Sequence, residues 1–375
     1  MKVKIKNADY AQVRAIQPPK RKPLKKPNIF MRSLIRLLSI PDLVGCKFSY
    51  VKEDMEKAGK GPYFILMNHS CFLDPKIASK IFYPMPYFIV TTSDGFIGKE
   101  WLMRAIGCIP TKKFVTDVGL TRDMYRAITE KKTSVLLFPE AGYSFDGTAT
   151  TLPRKLGSLM KKLGVPVVTV ITDGAFLKQP LYNNLQMRKV KVSATVRCLF
   201  SKEELEQKSV EELDAALDEA FAFDNFRRQA QTGTIVDSPT RADGLNRILY
   251  KCPACQTEGK MVGAGIRLTC NHCNKSYEMD TLGKLSATTG ETEFSHIPDW
   301  YRWQRDCVKN ELIENKYKLD EDVDIVVLAD YKSLYRVGSG RLIHDENGFH
   351  LTGCNGDLVY EQSPLASYGL NADYF

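Results

Sequence analysis

At 375 residues the chain is longer than one small core accommodates, and two or three domains are expected. Hydrophobic residues at 43% and charged residues at 26% are the proportions of an ordinary soluble globular protein. The formal charge of +9 is concentrated: residues 1–28 carry nine Lys or Arg against Asp9 alone, which excludes a uniformly basic surface and predicts a basic N-terminal arm.

The arm's cations are Lys2, Lys4, Lys6, Arg14, Lys20, Arg21, Lys22, Lys25 and Lys26. Tyr10 is its one aromatic residue and no reading module adjoins it, which argues against nucleic acid as its partner. No apolar run followed by small residues marks a secretory leader. Four of the ten cysteines fall in two Cys-x2-Cys pairs and six are scattered, so a reduced, intracellular setting with one metal site is expected.

Residues 29–40, IFMRSLIRLLSI, come next. At about 100° per residue Arg32, Arg36 and Ser39 share one stripe, and apolar side chains cover the rest. As a helix this segment reaches about 18 Å, short of the roughly 30 Å of bilayer hydrocarbon. It can lie on a membrane but not cross it. A helix over 29–43 behind a basic arm is the combination that binds anionic membrane surfaces, each nearby cation contributing on the order of 1 kcal/mol. The competing arrangement packs the helix on the protein's own core and leaves the arm solvated.

Residues 63–67 (YFILM) form a short apolar run suited to a strand buried on both faces. Asp74 and Pro75 then open a helix, as N-cap and first helical residue. Further on, 86–92 predict a strand, 99–106 and 120–131 helices, and 134–138 (SVLLF) and 165–172 (VPVVTVIT) two more strands. Residues 189–200 alternate like a half-exposed strand, and 202–223 read as one long acidic helix. Such alternation predicts an α/β domain with a largely parallel or mixed sheet. After residue 226 the chain is a connector poor in large apolar residues, until a cysteine module at 251–280. Residues 298–317 predict a helix, and from Asp322 onward short strands alternate with Gly and Asn turns.

The stretch MNHSCFLDP at 67–75 places His69, one of five histidines, five positions ahead of Asp74. His69 falls just after a buried strand and Asp74 at the start of the next helix, where the loops of α/β folds gather catalytic groups. A carboxylate that accepts from imidazole Nδ1 fixes the tautomer and leaves Nε2 as a base for an alcohol. No serine or cysteine nucleophile is required when the alcohol belongs to the substrate. Cys71, inside the loop, is the alternative nucleophile. A buried histidine satisfied by its neighbour is the purely structural alternative.

Three more blocks follow in order: GCIPTKK at 107–113, FPEAGYS at 138–144 and GVPVVTV at 164–170. Together with Asn68, His69 and Asp74 they resemble, over roughly residues 60–200, the glycerolipid acyltransferase family. Its best-known members acylate lysophosphatidate (1-acylglycerol-3-phosphate). The resemblance implies an α/β acyltransferase domain at 44–226, with a central mixed or parallel sheet flanked by helices. It implies His69 as general base and Asp74 as its orienter, deprotonating a glycerol hydroxyl that attacks the thioester of acyl-CoA or an acyl carrier protein. It also gives the second and third blocks to the acceptor's phosphate, which brings in Lys112, Lys113, Glu140 and Ser144 as substrate-binding residues. There is one departure: Ala141, Gly142 and Tyr143 replace the family's Gly, small residue and Arg. Tyr143 cannot make an arginine's bidentate contact to phosphate, which leaves Arg154 or Lys155 to compensate. Lys112 and Lys113 also fit a solvated turn, and Glu140 a loop support.

Cys252-x2-Cys255 and Cys270-x2-Cys273, fourteen residues apart, match a zinc ribbon with four thiolates around tetrahedral Zn²⁺. The intervening KMVGAGIRLT suits a hairpin. His272 lies inside the second knuckle, but four thiolates already fill the shell. A closed all-cysteine site has no open position for water, so the metal is expected to act as a staple or docking surface.

The residues and the resemblance lead to a basic arm at 1–28, a membrane-surface helix at 29–43, the acyltransferase domain at 44–226 and a connector at 227–250. A zinc ribbon at 251–280 and a helix plus strand-rich domain at 281–375 complete the chain. The expected protein is a cytoplasmic enzyme, peripheral on the inner face of the cell membrane. It acylates a lysophospholipid in phospholipid biosynthesis, with 1-acylglycerol-3-phosphate the leading acceptor. Two alternatives stand beside this: acyl transfer to a different lipid acceptor, and a non-catalytic lipid- or nucleic-acid-binding adaptor built on the ribbon.

Overall fold

The computed structural model describes residues 5–112, 117–364 and 366, so Lys2, Lys4 and Lys113 lie outside the described residues. Two compact units interleave along the sequence. Asn28–Phe88 and Met124–Gln304 form the larger, and Met1–Pro27, Ile89–Asp123 and Arg305–Phe375 the smaller.

In the larger unit, helix α1 (Ile29–Gly45) precedes β1 (Ser49–Glu53), β2 (Phe64–Met67) and α2 (Asp74–Phe82). The strands β3 (Ser134–Leu137), β4 (Val167–Asp173) and β5 (Ser193–Phe200) follow, and the side-by-side order is β1-β5-β4-β2-β3. β2 runs parallel to β4 and β3, β4 and β5 are antiparallel, and β1 joins β5 in parallel. The sheet is therefore mixed, as the alternation predicts. All four residues of β2 are fully buried, because a central parallel strand is covered on both faces. Since β2, β3 and β4 share one direction, the loops after Met67, Leu137 and Asp173 leave from one edge.

Two local expectations are corrected. Helix α2 starts at Asp74 itself with Leu73 in the cap position, and Pro75 follows in the first turn. Asp74 is not a forward-facing N-cap: its carboxylate is turned back onto the loop before it. The acidic segment 202–223 is two helices, Lys202–Gln207 and Val210–Ala220. Lys208 leaves the helical region, Ser209 caps the second helix in a capping box with Glu212, and that local bond outcompetes helix continuation.

Helix α1 begins at Asn28, whose Oδ1 accepts from Met31 N–H at 2.8 Å. Its polar stripe turns toward protein: Arg32 donates to the Pro84 carbonyl, Ser33 bonds the Tyr83 hydroxyl at 3.2 Å, and Asp42 pairs with Lys76. The opposite face is apolar and open, with Phe30 70%, Leu37 62%, Leu38 66% and Val44 69% exposed. A helix stabilised only by burial of its own apolar face would be turned the other way. Among the described residues no helix is long and apolar enough to cross a membrane.

Residues downstream of β5 share a core with the segment between β4 and β5. Phe176, Tyr182 and Phe226 pack with Leu245, Leu249, Cys252, Leu268, Cys270, Tyr277 and Trp300 in a single buried cluster. The hairpin expected between the knuckles forms, as Met261–Ala264 paired antiparallel with Arg267–Cys270, and Ser276–Met279 and Leu285–Ala287 extend it.

The smaller unit, taken by itself, holds a sheet in which Leu334–Asp345 pairs with Leu319–Val327 and Gly348–Gly353, and Leu358–Gln362 lies at the edge. Its N-terminal residues are not a loose tail. Ile5–Asn7 adds a parallel strand to Leu334–Arg336, and Tyr10–Arg14 is a short helix capped by Asp9. Val13 packs against Ile325 and Val337. Arg21 pairs with Asp117 and Asp123, and Lys22 with Glu100, so part of the arm's charge is neutralised within its own unit.

Candidate active site

At the edge where β2 ends, Asn68 is fully buried and its Oδ1 accepts from Thr172 N–H at 2.8 Å and Thr172 Oγ1 at 3.1 Å. This ties the β2 terminus to β4 and fixes where the next residue, His69, emerges. His69 Nδ1 lies 2.9 Å from Asp74 Oδ2. The same oxygen accepts from Ser70 N–H at 2.7 Å and Cys71 N–H at 3.0 Å. Three donors on one carboxylate oxygen hold Asp74 as an acceptor, which assigns the imidazole proton to Nδ1 and leaves the Nε2 lone pair for chemistry. Asp74 is fully buried while the His69 side chain keeps 20% exposure, so an anchored carboxylate holds an imidazole that solvent can reach.

The loop after β3 grips His69 by its backbone. Glu140 Oε1 accepts from His69 N–H at 3.0 Å, and Ser144 N–H donates to the His69 carbonyl at 2.9 Å. Glu140 Oε2 accepts from Thr150 N–H and Oγ1, both at 3.4 Å, and Ser144 Oγ donates to the Thr148 carbonyl at 2.7 Å. Aromatic rings flank the imidazole. Phe138 stacks on it at 4.0 Å between centroids, Tyr143 lies at 4.3 Å, and Phe72 meets Tyr143 edge-on at 5.7 Å. Two rings against one imidazole limit its rotation about χ2 and keep water from its faces.

These features lie within the part of the chain that a family model recognises: residues 49–173 match the Acyltransferase family. That segment, a third of the chain, is similar to the family. No curated protein matches the sequence. Among solved structures it is similar to the 1-acyl-sn-glycerophosphate acyltransferase PlsC of Thermotoga maritima. That likeness has 19% identity and a TM-score of 0.40 over 51% of this chain and 76% of that one, too distant to carry function.

Burial dominates the electrostatics at the centre of the matched segment. It pushes the Glu140 carboxyl up to about 7, against the hydrogen bonds from His69 and Thr150, and the nearby Asp74 adds to the rise. A carboxyl raised in the fold from about 4.5 stabilises fully below that value, and the contribution is lost as pH rises through about 7. Linkage sets the upper bound at about 3 kcal/mol, at roughly 1.4 kcal/mol per pH unit. Glu140→Gln is neutral throughout, so wild type should lose more stability than the variant between pH 5 and 8 in urea unfolding. Equal losses would contradict a buried, protonated Glu140.

Burial, then Asp74, drives the Cys71 thiol well above its ordinary range, so this fully buried cysteine offers no thiolate for the nucleophile alternative. Lys112 is exposed at the end of the strand Cys108–Thr111. Lys155 sits at the left-handed N-cap of Leu156–Leu163, with its N–H 3.3 Å from Asp214 Oδ2. Arg154 approaches Asp218 at 4.0 Å with its side chain 73% exposed. No described contact joins Arg154 or Lys155 to the dyad. Phe138 and Tyr143, which the structure places directly on the imidazole, are not assigned a role by the sequence reading, where Tyr143 enters only as a missing arginine. The clue available was the aromatic content of the two loops.

The second candidate site is the cysteine cluster. The sulfurs of Cys252, Cys255, Cys270 and Cys273 all lie within 4.8 Å of one another. Cys252 and Cys273, like Cys255 and Cys270, are 3.7 Å apart. Zinc–sulfur bonds of about 2.3 Å in a tetrahedron require edges of about 3.8 Å, so the donor set fits Zn²⁺. His272 bonds Thr257 Oγ1 at 3.3 Å and stands outside the cluster.

Proposed function

We propose that this protein moves an acyl group from a thioester, acyl-CoA or an acyl carrier protein, to the hydroxyl of a lysophospholipid in phospholipid biosynthesis. 1-Acylglycerol-3-phosphate is the leading acceptor, and another lipid alcohol the runner-up because Tyr143 stands where phosphate recognition calls for a cation. The observation that carries the reading is the 2.9 Å contact between His69 Nδ1 and the buried Asp74, at the open edge of the sheet.

His69 Nε2 takes the proton as the acceptor oxygen attacks the thioester carbonyl, and the Asp74 carboxylate stabilises the imidazolium. Collapse of the tetrahedral intermediate breaks the C–S bond. The thiolate leaves and recovers the proton from Nε2–H, which restores the base. Lys112, Lys113 and Lys155 are retained as proposed contacts to the acceptor headgroup, and Glu140 and Ser144 as the loop groups that hold the base in place. Zn²⁺ on the four cysteines supplies structural cross-linking only. The test is release of free thiol from acyl-CoA or acyl carrier protein when a mixed lysolipid pool is supplied, with the product identified by mass spectrometry. No release with any donor and acceptor would defeat the proposal.

The open face of α1 supports attachment to an anionic membrane surface, which we place at the cytoplasmic face of the cell membrane. Each large apolar side chain withdrawn from water contributes about 1.5–3 kcal/mol. Phe30→Glu combined with Leu37→Glu should lower co-sedimentation with anionic vesicles by at least about 10-fold. The thermal midpoint should not fall, because both side chains point outward. Undiminished sedimentation would move the membrane contact elsewhere.

A further inference from the structure

The dyad's supporting loop does not end at Ser144. Residues 145–149 run onto Phe176 and the segment 223–226, and Phe176 and Phe226 belong to the buried cluster that also contains Cys252 and Cys270. Gly147, at φ +90°, lies so close to Phe176 and Phe226 that an added Cβ would come within 2.9 Å and 3.2 Å of their rings. Its carbonyl receives two donors from Asn225, the backbone N–H at 2.9 Å and Nδ2 at 2.7 Å. Thr148 forms an isolated antiparallel bridge with Asp224, and Ala149 N–H donates to the Phe223 carbonyl at 3.2 Å.

Asp224 joins this loop to the segment that follows the ribbon. One carboxylate oxygen accepts from Arg227 N–H at 2.9 Å and caps the helix Asn225–Thr232, while the other lies 2.8 Å from His296 Nε2. The His296 carbonyl accepts from Trp300 N–H at 3.2 Å at the start of the next helix. Trp300 is fully buried, and its indole N–H donates to the carbonyl of Lys251, the residue before Cys252, at 3.0 Å. Its ring meets Tyr277 of the cluster's sheet edge-on at 4.9 Å. A second tie runs alongside, Phe145 against Tyr301 at 5.6 Å.

We propose that the four-cysteine module positions the catalytic base, through His296 and Asp224 acting on the 144–149 loop. Asp224 and His296 are positioning residues: neither touches His69, and their effect passes through Gly147 and Thr148 to the backbone bonds that Ser144 and Glu140 make with His69. A closed thiolate site needs a role in an enzyme whose chemistry does not use the metal, and holding this loop supplies one. The proposal rests on His69 being the base, so its test carries a readout that does not depend on turnover.

The experiment compares the zinc-loaded full-length protein with His296→Ala and His296→Gln. It measures zinc content, hydrogen exchange of peptides spanning 68–74 and 140–150, and kcat and KM for thiol release. His296→Ala should retain its zinc, exchange at least about 5-fold faster across 140–150, and lose about 10-fold in kcat with KM within 2-fold. His296→Gln, whose amide N–H can still reach Asp224, should recover most of both effects. Exchange and kcat within 2-fold of wild type in His296→Ala would overturn the proposal, as would faster exchange confined to the cysteine module. Absence of thiol release by wild type would remove the reading of His69 instead, and the exchange measurement would still decide whether the module holds the loop.

Discussion

Asp74→Asn should lower kcat by about 10²–10³-fold while leaving vesicle binding and the thermal midpoint near wild type. Asparagine is nearly the same size, and its side-chain oxygen can still accept from Ser70 and Cys71 N–H, so the loop keeps its shape. One thing is lost. The imidazolium that forms when Nε2 takes the proton no longer faces a full negative charge in a buried setting. Because Asp74 is fully buried, solvent does not screen the missing charge. Kinetics on vesicles and a sedimentation assay on the same preparation measure both sides of the prediction. Equal loss of turnover and of binding would favour a non-catalytic adaptor.

Cys270→Ser should abolish stoichiometric zinc and melt the ribbon. Cys270 is fully buried in the cluster that also contains Leu268, Tyr277 and Trp300. Structural zinc contributes on the order of 10 kcal/mol in small domains at neutral pH, which exceeds what a four-stranded module of this size stores by burial alone. Elemental analysis should fall toward zero metal per chain, and exchange across 261–287 should become fast. Cys307→Ser is the control, since Cys307 lies outside the cluster and should leave the metal content unchanged. A Cys270→Ser protein that keeps one zinc per chain and a protected hairpin would contradict the assignment.

The legible parts of this chain were those where one residue type at one spacing has few physical uses. A run of four apolar residues before His69 is a buried strand whatever the rest of the chain does, and β2 is one. Two Cys-x2-Cys knuckles leave little choice, and their sulfurs converge. Long-range arrangement was less accessible. Nothing in the 29–45 segment says that its arginine and serine stripe turns toward Tyr83 and Pro84 while its apolar side stays open, because that depends on what α2 presents. The basic arm illustrates the same limit: Arg21 is paired by acids 96 and 102 positions away in sequence. At the site, the dyad is local and was readable at its spacing of five. The grip of Glu140 and Ser144 on the His69 backbone joins groups 71 and 75 positions apart, and no short-range pattern encodes it. The bond between Asp224 and His296 was equally invisible, because each residue has an ordinary reading at its own place in the chain.

Free-thiol release by wild type and His69→Ala, on vesicles with matched protein loading, reads the proton transfer itself. A general base worth two to four orders of magnitude predicts steady release by wild type and a fall of at least about 10²-fold in the variant, with zinc content and vesicle binding unchanged. Equal rates from the two proteins would contradict the assignment of His69 as the base.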